Sequence, residues 1–191
     1  MKVGVLGLQG DVREHLRALQ AAGATGKVVK TATELADTDA LVVPGGESTT
    51  IGKLMNRFDL LEPIIARARA GMPLYGTCAG MILMANDIVG GHDAPNRLRV
   101  MDITVQRNAY GGQVASFEAD ISVAGMDTLF PAVFIRAPVV ESVGAGVDVL
   151  ATYDDIPVLV KQDHLLASSF HPEMTGDGRI HELFVEMAKG F

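Results

Sequence analysis

The sequence predicts an α/β fold: a three-layer sandwich whose central sheet is mixed but mainly parallel. Two observations carry the prediction. In the first half, short apolar strand-like runs alternate with helical patterns, which calls for a parallel sheet covered on both faces. In the second half, strand-like runs follow one another across close turns, which adds antiparallel strands to that sheet.

Taken in order, "KVGVLGL" (2–8), "DALVVPGG" (39–46) and "GMPLYG" (71–76) read as short buried strands. Between the first two, "DVREHLRALQAAG" reads as a helix with Val12, Leu16 and Leu19 on one face. Asp11 stands at its start and Gly23 after its end. The segment 48–71 holds two helices, with Pro63 early in the second. After the middle, "RVMDITVQRN", "SFEADISVAG", "AVFIRAPVVESV", "VDVLATYDD", "IPVLVKQD" and "HLLASSF" are strand-like. A last helix, roughly 178–189, carries Ile180, Leu183, Phe184 and Met187 on one face. No linker, repeat or low-complexity segment interrupts the chain, so 1–191 reads as a single domain.

Composition narrows the function. The chain is 48% hydrophobic and 20% charged, ordinary for a protein with a real core. Its net charge is −7, without a Lys/Arg cluster, which argues against nucleic acid or an anionic membrane as partner. No run approaches the ~20 apolar residues of a membrane span. The apolar start is short, Gly-broken and lacks a cleavage site, so no signal peptide is expected. The single cysteine forms no internal disulfide and suits a reducing compartment, which makes the cytoplasm the expectation.

Two glycine-rich stretches mislead. "GVLGLQG" has the wrong spacing for a dinucleotide loop. "GGESTTIGKL" has five residues between Gly46 and Gly52, and Leu54 stands where a phosphate loop needs a hydroxyl.

The informative stretch is "MPLYGTCAGMILMA". Gly76-Thr77-Cys78-Ala79-Gly80 places the one cysteine between a strand and a helix, flanked by residues small enough for a sharp turn. A thiol there stands at the carboxyl end of a central strand, where open α/β sheets bind ligands. The helix start behind it favours thiolate, and the Ala79 N–H points at a developing oxyanion. A lone cysteine is more often just a small buried hydrophobe; the strand–turn–helix context tips the balance towards a nucleophile.

A thiol nucleophile needs a base. Of the five histidines, His15 falls on the polar side of the first helix, His92 in a polar loop and His181 in the terminal helix. His164, near a strand start, stays an alternative. "SSFHPEM" is the better one: Pro172 pushes His171 towards an extended backbone, so that His171 and Glu173 project to one side. An acid beside a histidine fixes its tautomer and supports its cationic form. "VVPGGEST" ends a strand with free backbone N–H groups at the same edge, suited to an oxyanion or a carboxylate, with Ser48 as helix cap.

"PGGES", "YGTCAGMILMA" and "SSFHPE", in that order, resemble the class I (triad) glutamine amidotransferases. With "GVLGLQGDVREH", "QRNAYG" and "FIRAP" the resemblance narrows to the glutaminase subunits of pyridoxal 5′-phosphate synthases, and it runs from Val3 to about Glu173. It implies a flavodoxin-like glutaminase fold and hydrolysis of L-glutamine to glutamate and ammonia. The ammonia would go to a separate synthase subunit that joins it to a pentose phosphate and a triose phosphate. Cys78 would be the nucleophile, His171 the acid/base and Glu173 its orienting partner. Gly46, Glu47, Ser48, Arg107, Ile135 and Arg136 would contact glutamine, and Gly46 and Ala79 would form the oxyanion hole. No cofactor and no metal is implied. The family further implies weak activity of the free subunit, a rearrangement near Gly45-Gly46 on docking, and channelled ammonia. One departure stands out: Gly112-Gln113 occupies the place where the pattern has Arg-Gln. Two rival readings remain: a glutaminase feeding another synthase, such as imidazole glycerol phosphate synthase, and a non-catalytic domain with Cys78 as a redox or partner switch.

Overall fold

The computed structural model describes residues 1–90, 95–107 and 116–191. The first half builds β1 (Lys2–Leu6), α1 (Val12–Ala21), β2 (Thr25–Val29), α2 (Ala32–Ala36), β3 (Ala40–Val43), α3 (Ser48–Arg57), α4 (Leu61–Arg69), β4 (Leu74–Thr77) and α5 (Ala79–Met84). The second half adds β5 (Ala85–Val89), β6 (Met101–Gln106), β7 (Ser116–Ile121), β8 (Phe130–Ile135), β9 (Val139–Val143), β10 (Asp148–Tyr153), β11 (Ile156–Gln162), β12 (Leu165–Ser168) and α6 (Arg179–Lys189).

The main sheet has seven strands in the order β10-β11-β12-β4-β3-β1-β2. β2, β1, β3, β4 and β12 pair in parallel, which is the flavodoxin-like order, while β11 runs antiparallel to both of its neighbours. Alternation along the strands sorts side chains to two faces. Leu41, Val43, Leu74 and Leu165 pack with Ile51, Met55, Ile64 and Met81 of α3, α4 and α5 on one side. Val3, Val5, Val42, Tyr75 and Leu166 pack with Leu19 of α1 and Ile180, Phe184 and Val185 of α6 on the other. Three layers result, as the sequence predicts.

Several elements differ from the sequence reading. β2 and α2 carry too little apolar pattern to be read, yet both form. Lys27 and Asp37 pair across them, and α2 opens with a capping box between Thr31 and Glu34. The strand-like runs after residue 99 do not all extend the main sheet. β5, β6 and β9 form a sheet of three over the first face, and β7 and β8 a hairpin over the second. "AVFIRAPVVESV" is two strands, because Arg136 takes a φ of 44° and Pro138 follows. Asp154 and Asp155, both at positive φ, make the tight turn between β10 and β11.

Candidate active site

The loops after β1, β3, β4 and β12 leave the sheet at its carboxyl edge, and the site lies there. Cys78 sits between β4 and α5 with φ 49° and ψ −100°, a conformation rarely adopted by non-glycine residues. Its neighbours hold it there. The Cys78 N–H donates to the Ser168 carbonyl at 2.8 Å, and its carbonyl accepts from Ile82 at 3.2 Å. The second glycine of the elbow is needed for close approach: a Cβ at Gly80 would lie 2.1 Å from the Val43 carbonyl oxygen. Ala79 begins α5, so its N–H has no partner inside the helix. The thiol is 3.7 Å from the Ile135 carbonyl oxygen.

His171 follows β12 and is fixed by its own N–H, which donates to the Val133 carbonyl at 2.8 Å. Its Nδ1 lies 2.7 Å from Glu173 Oε1, and the Glu173 side chain is fully buried. The route to this contact differs from the expectation: Pro172–Met174 is a single 3-10 turn, and the turn brings the carboxylate back beneath the ring. The ring fits because residue 45 has no side chain; a Cβ there would lie 2.4 Å from His171 Cε1. Burial disfavours the charged imidazole, but hydrogen bonds and charge from Cys78 and Glu173 outweigh it and lift His171 to about 10. Burial raises the Glu173 carboxyl, with the imidazolium acting against it. Asp11 Oδ2, 3.8 Å from His171 Nδ1, adds a second, half-exposed carboxylate.

These groups open onto a cavity of about 460 Å³, within the usual range for a small-molecule site. Cys78 and His171 line it together with Gly46, Glu47, Ser48, Arg107, Ile135 and Arg136, so the structure brings all the expected glutamine contacts to one place. Glu173 stands behind His171. One assignment is corrected: Glu47, not Ser48, caps α3, accepting from the N–H groups of Thr49 (2.9 Å) and Thr50 (2.7 Å). Burial works against its charge, but these donors and the Thr50 hydroxyl hold its carboxyl at about 2. Arg107 Nη2 reaches both Glu47 Oε1 and Thr49 Oγ1 at 3.3 Å.

Sequence reasoning missed Gln9, Asp11 and Met174, which also line the cavity. Gln9 Oε1 accepts the Glu47 N–H at 2.9 Å and lies against Gly46, whose φ of 144° suits only glycine. The available signal was position: "GLQGD" leaves β1 at the same sheet edge. His164 is excluded as a base by position: it precedes β12, its carbonyl accepting the Leu74 N–H at the start of β4, whereas Cys78 follows the far end of that parallel strand; its Nε2 donates to the Ala68 carbonyl at 2.7 Å. His15 is not on a polar face: it is fully buried, as is His181. His92 and Gly112-Gln113 lie outside the described residues.

A flavodoxin-like sheet with a cysteine elbow after one central strand and a His–Glu pair after its neighbour defines the class: a triad glutamine amidotransferase. Comparison with known proteins gives the particular branch. The model of the SNO glutamine amidotransferase family matches residues 5–190, and the chain belongs to that family. It is 56% identical over 189 residues to the pyridoxal 5′-phosphate synthase subunit PdxT of Parafrankia sp., covering 98% of this chain and 93% of that one. The PdxT of Mycolicibacterium smegmatis is 57% identical over 188 residues, covering 96% and 97%. A crystal structure described as a glutamine amidotransferase superposes with a TM-score of 0.93 at 50% identity, covering 98% of both chains.

Proposed function

We propose that this chain, a single glutaminase domain over residues 1–191, works through Cys78, His171 and Glu173. It is the glutaminase subunit of a pyridoxal 5′-phosphate synthase, hydrolysing L-glutamine to L-glutamate and ammonia and supplying the ammonia to the synthase subunit. The observation that carries the residue assignment is the convergence of a strained cysteine, a buried His–Glu pair and a polar cavity at one sheet edge.

The residues divide the work as follows. The Cys78 thiolate attacks the side-chain carbonyl carbon of glutamine, and the Ala79 N–H with a backbone N–H at Gly46 takes the oxyanion. His171, charged before the attack, gives its proton to the departing nitrogen. Ammonia leaves, a γ-glutamyl thioester remains on Sγ, and the now neutral His171 draws a proton from water as it attacks the thioester. Glutamate and the thiolate–imidazolium pair result, and the cycle balances. Glu173 fixes the proton of His171 on Nδ1 throughout. Arg107 and Arg136 supply cationic charge for the α-carboxylate and Glu47 a carboxylate for the α-ammonium.

No helix among the described residues is long and apolar enough to cross a membrane. We place the protein in the cytoplasm, where its one free thiol stays reduced. The test is glutamate release from glutamine by the chain alone and with the synthase subunit. Release that rises on adding the synthase and disappears in Cys78→Ala supports the reading. Undiminished release in Cys78→Ala would sink the residue assignment, and indifference to the synthase would sink the docking dependence.

A further inference from the structure

Behind the triad lie two fully buried histidines that hydrolysis as drawn above does not use. His15 projects inward from α1 and His181 from α6. His15 Nδ1 is 3.0 Å from His181 Nε2. His15 Nε2 is 3.2 Å from Thr77 Oγ1 and 3.5 Å from Glu173 Oε1. A chain of side chains therefore runs from α6 through α1 to the carboxylate that holds His171.

The protons on this chain can be placed by accounting. Burial holds both rings neutral, with His15 pushed well down, also by the neighbouring His181 and His171, and His181 brought to about 4. Each neutral ring has one N–H. Were the His15 proton on Nδ1, its bare Nε2 could accept from the Thr77 hydroxyl at 3.2 Å but would also face the Glu173 carboxylate at 3.5 Å, lone pair to lone pair. His181 would then carry its proton on Nδ1, a buried atom without a hydrogen-bond partner among the described residues. With the His181 proton on Nε2 instead, it donates to His15 Nδ1. The His15 proton then sits on Nε2, hydrogen-bonded to Thr77 Oγ1 at 3.2 Å with Glu173 Oε1 at 3.5 Å. Only an acceptor, His181 Nδ1, goes unmatched, and buried acceptors are left bare more readily than buried donors.

We propose that His15 is a positioning residue of the triad, held by His181 as the Nε2–H tautomer, whose N–H is shared between Thr77 Oγ1 and the same Glu173 Oε1 that His171 contacts. The inference rests on the triad reading. His171 and His15 converge on the same oxygen, while Oε2 is buried without a partner among the described residues. One oxygen is thus approached by both rings, which restrains the carboxylate's rotation and favours its charged form. The other groups facing this chain are Asp11 from the start of α1, the Tyr75 phenol edge-on to His181, and the His171–Cys78 pair. Asp11 opposes ionisation of Glu173, so the His15 donor acts against a standing repulsion.

The test uses the glutaminase reconstituted with its synthase. His15→Leu removes the donor, His15→Asn keeps an amide only near the Nδ1 position, and His15→Gln places an amide N–H near Nε2. In His15→Leu and His15→Asn, kcat for glutamate release is expected to fall roughly 10–100-fold, at or below the ~10²-fold lower bound for a direct acid–base group, as befits a residue acting through another. KM for glutamine stays within about twofold, since a residue behind the triad does not touch substrate. The acid limb of kcat/KM moves to higher pH, because a carboxylate that loses a donor protonates sooner. His15→Gln restores both towards wild type. A purely structural role would lower thermal stability without moving the acid limb. Wild-type kcat and acid limb in folded His15→Leu would overturn the proposal. Should that variant not fold, indistinguishable profiles for Gln and Asn would overturn it. Cys78→Ala is run alongside: hydrolysis surviving there would refute the triad itself, independently of His15.

Discussion

His171 Nδ1 lies 2.7 Å from a Glu173 oxygen whose side chain is fully buried, so the imidazole can turn neither away from the carboxylate nor into water. Replacing the charge while keeping the shape isolates its role. Glu173→Gln is expected to lower kcat by roughly 10²–10⁴-fold, the span of a general acid–base contribution whose upper end is the ~10⁴-fold loss when a triad's orienting carboxylate becomes an amide and the wrong tautomer is favoured. Steady-state kinetics in the synthase complex check this, and an unchanged kcat would contradict it.

The raised His171 pKa fixes the sign of a pH effect on stability. Its folded value, about 10, lies above the ordinary 6.5, so the folded state binds the extra proton between those values. The stabilisation is complete below about pH 6.5 and fades as pH climbs towards 10. The urea-denaturation advantage of wild type over His171→Gln is therefore expected to be largest near pH 6 and to shrink steadily up to pH 10. An advantage that grew with pH would contradict the charged-pair description.

Gly45 and Gly80 separate catalysis from folding. A Cβ at Gly45 would meet the His171 ring first, at 2.4 Å, and would displace it. Gly45→Ala is expected to lower kcat by about 10²-fold, the effect of an ångström of misplacement, with a small change in melting temperature. At Gly80 the obstacle is the Val43 backbone at 2.1 Å, which cannot yield without parting α5 from β3. Gly80→Ala is expected to cost about 1–3 kcal/mol, as overpacked cores do, readable by thermal denaturation.

Arg107 and Glu47 form an exposed pair at 3.3 Å beside the cavity. Such pairs add about 0–1 kcal/mol to stability, so Arg107→Ala is expected to melt near wild type. If the pair matters for glutamine, KM rises about tenfold, equivalent to about 1.4 kcal/mol, with kcat little changed. A lowered kcat at constant KM would place Arg107 in the chemistry instead.

Much of this was legible because periodicity and residue type agreed. The runs at 2–8, 39–46 and 71–76 are apolar on both faces because the strands are covered on both. The elbow showed itself because only small residues can flank so tight a turn. His15 was misread for the opposite reason. Positions 12, 15, 16 and 19 share one helical stripe, but a histidine among Val12, Leu16 and Leu19 looks polar until the partner that satisfies it is known. β2 is a half-exposed edge strand, "TGKVV", with no pattern to betray it. The run "MILMA" continues apolar past Met84, where the helix ends and β5 begins, so no change in polarity marks the boundary. Strand propensity in β6 to β9 was plain, but propensity carries no information about which sheet a strand joins. Gln9 and Asp11 gave no local signal at all; only the sheet edge unites them with Cys78.

The central claim is that Cys78 forms the covalent glutamyl bond with the help of His171. Mass spectrometry after treating the synthase complex with 6-diazo-5-oxo-L-norleucine, a glutamine analogue that alkylates an amidotransferase nucleophile, tests it most directly. The account predicts one adduct, on the peptide containing Cys78, slowed by glutamine and strongly reduced in His171→Ala. An active complex labelled elsewhere, or labelled at Cys78 equally well without His171, would contradict it.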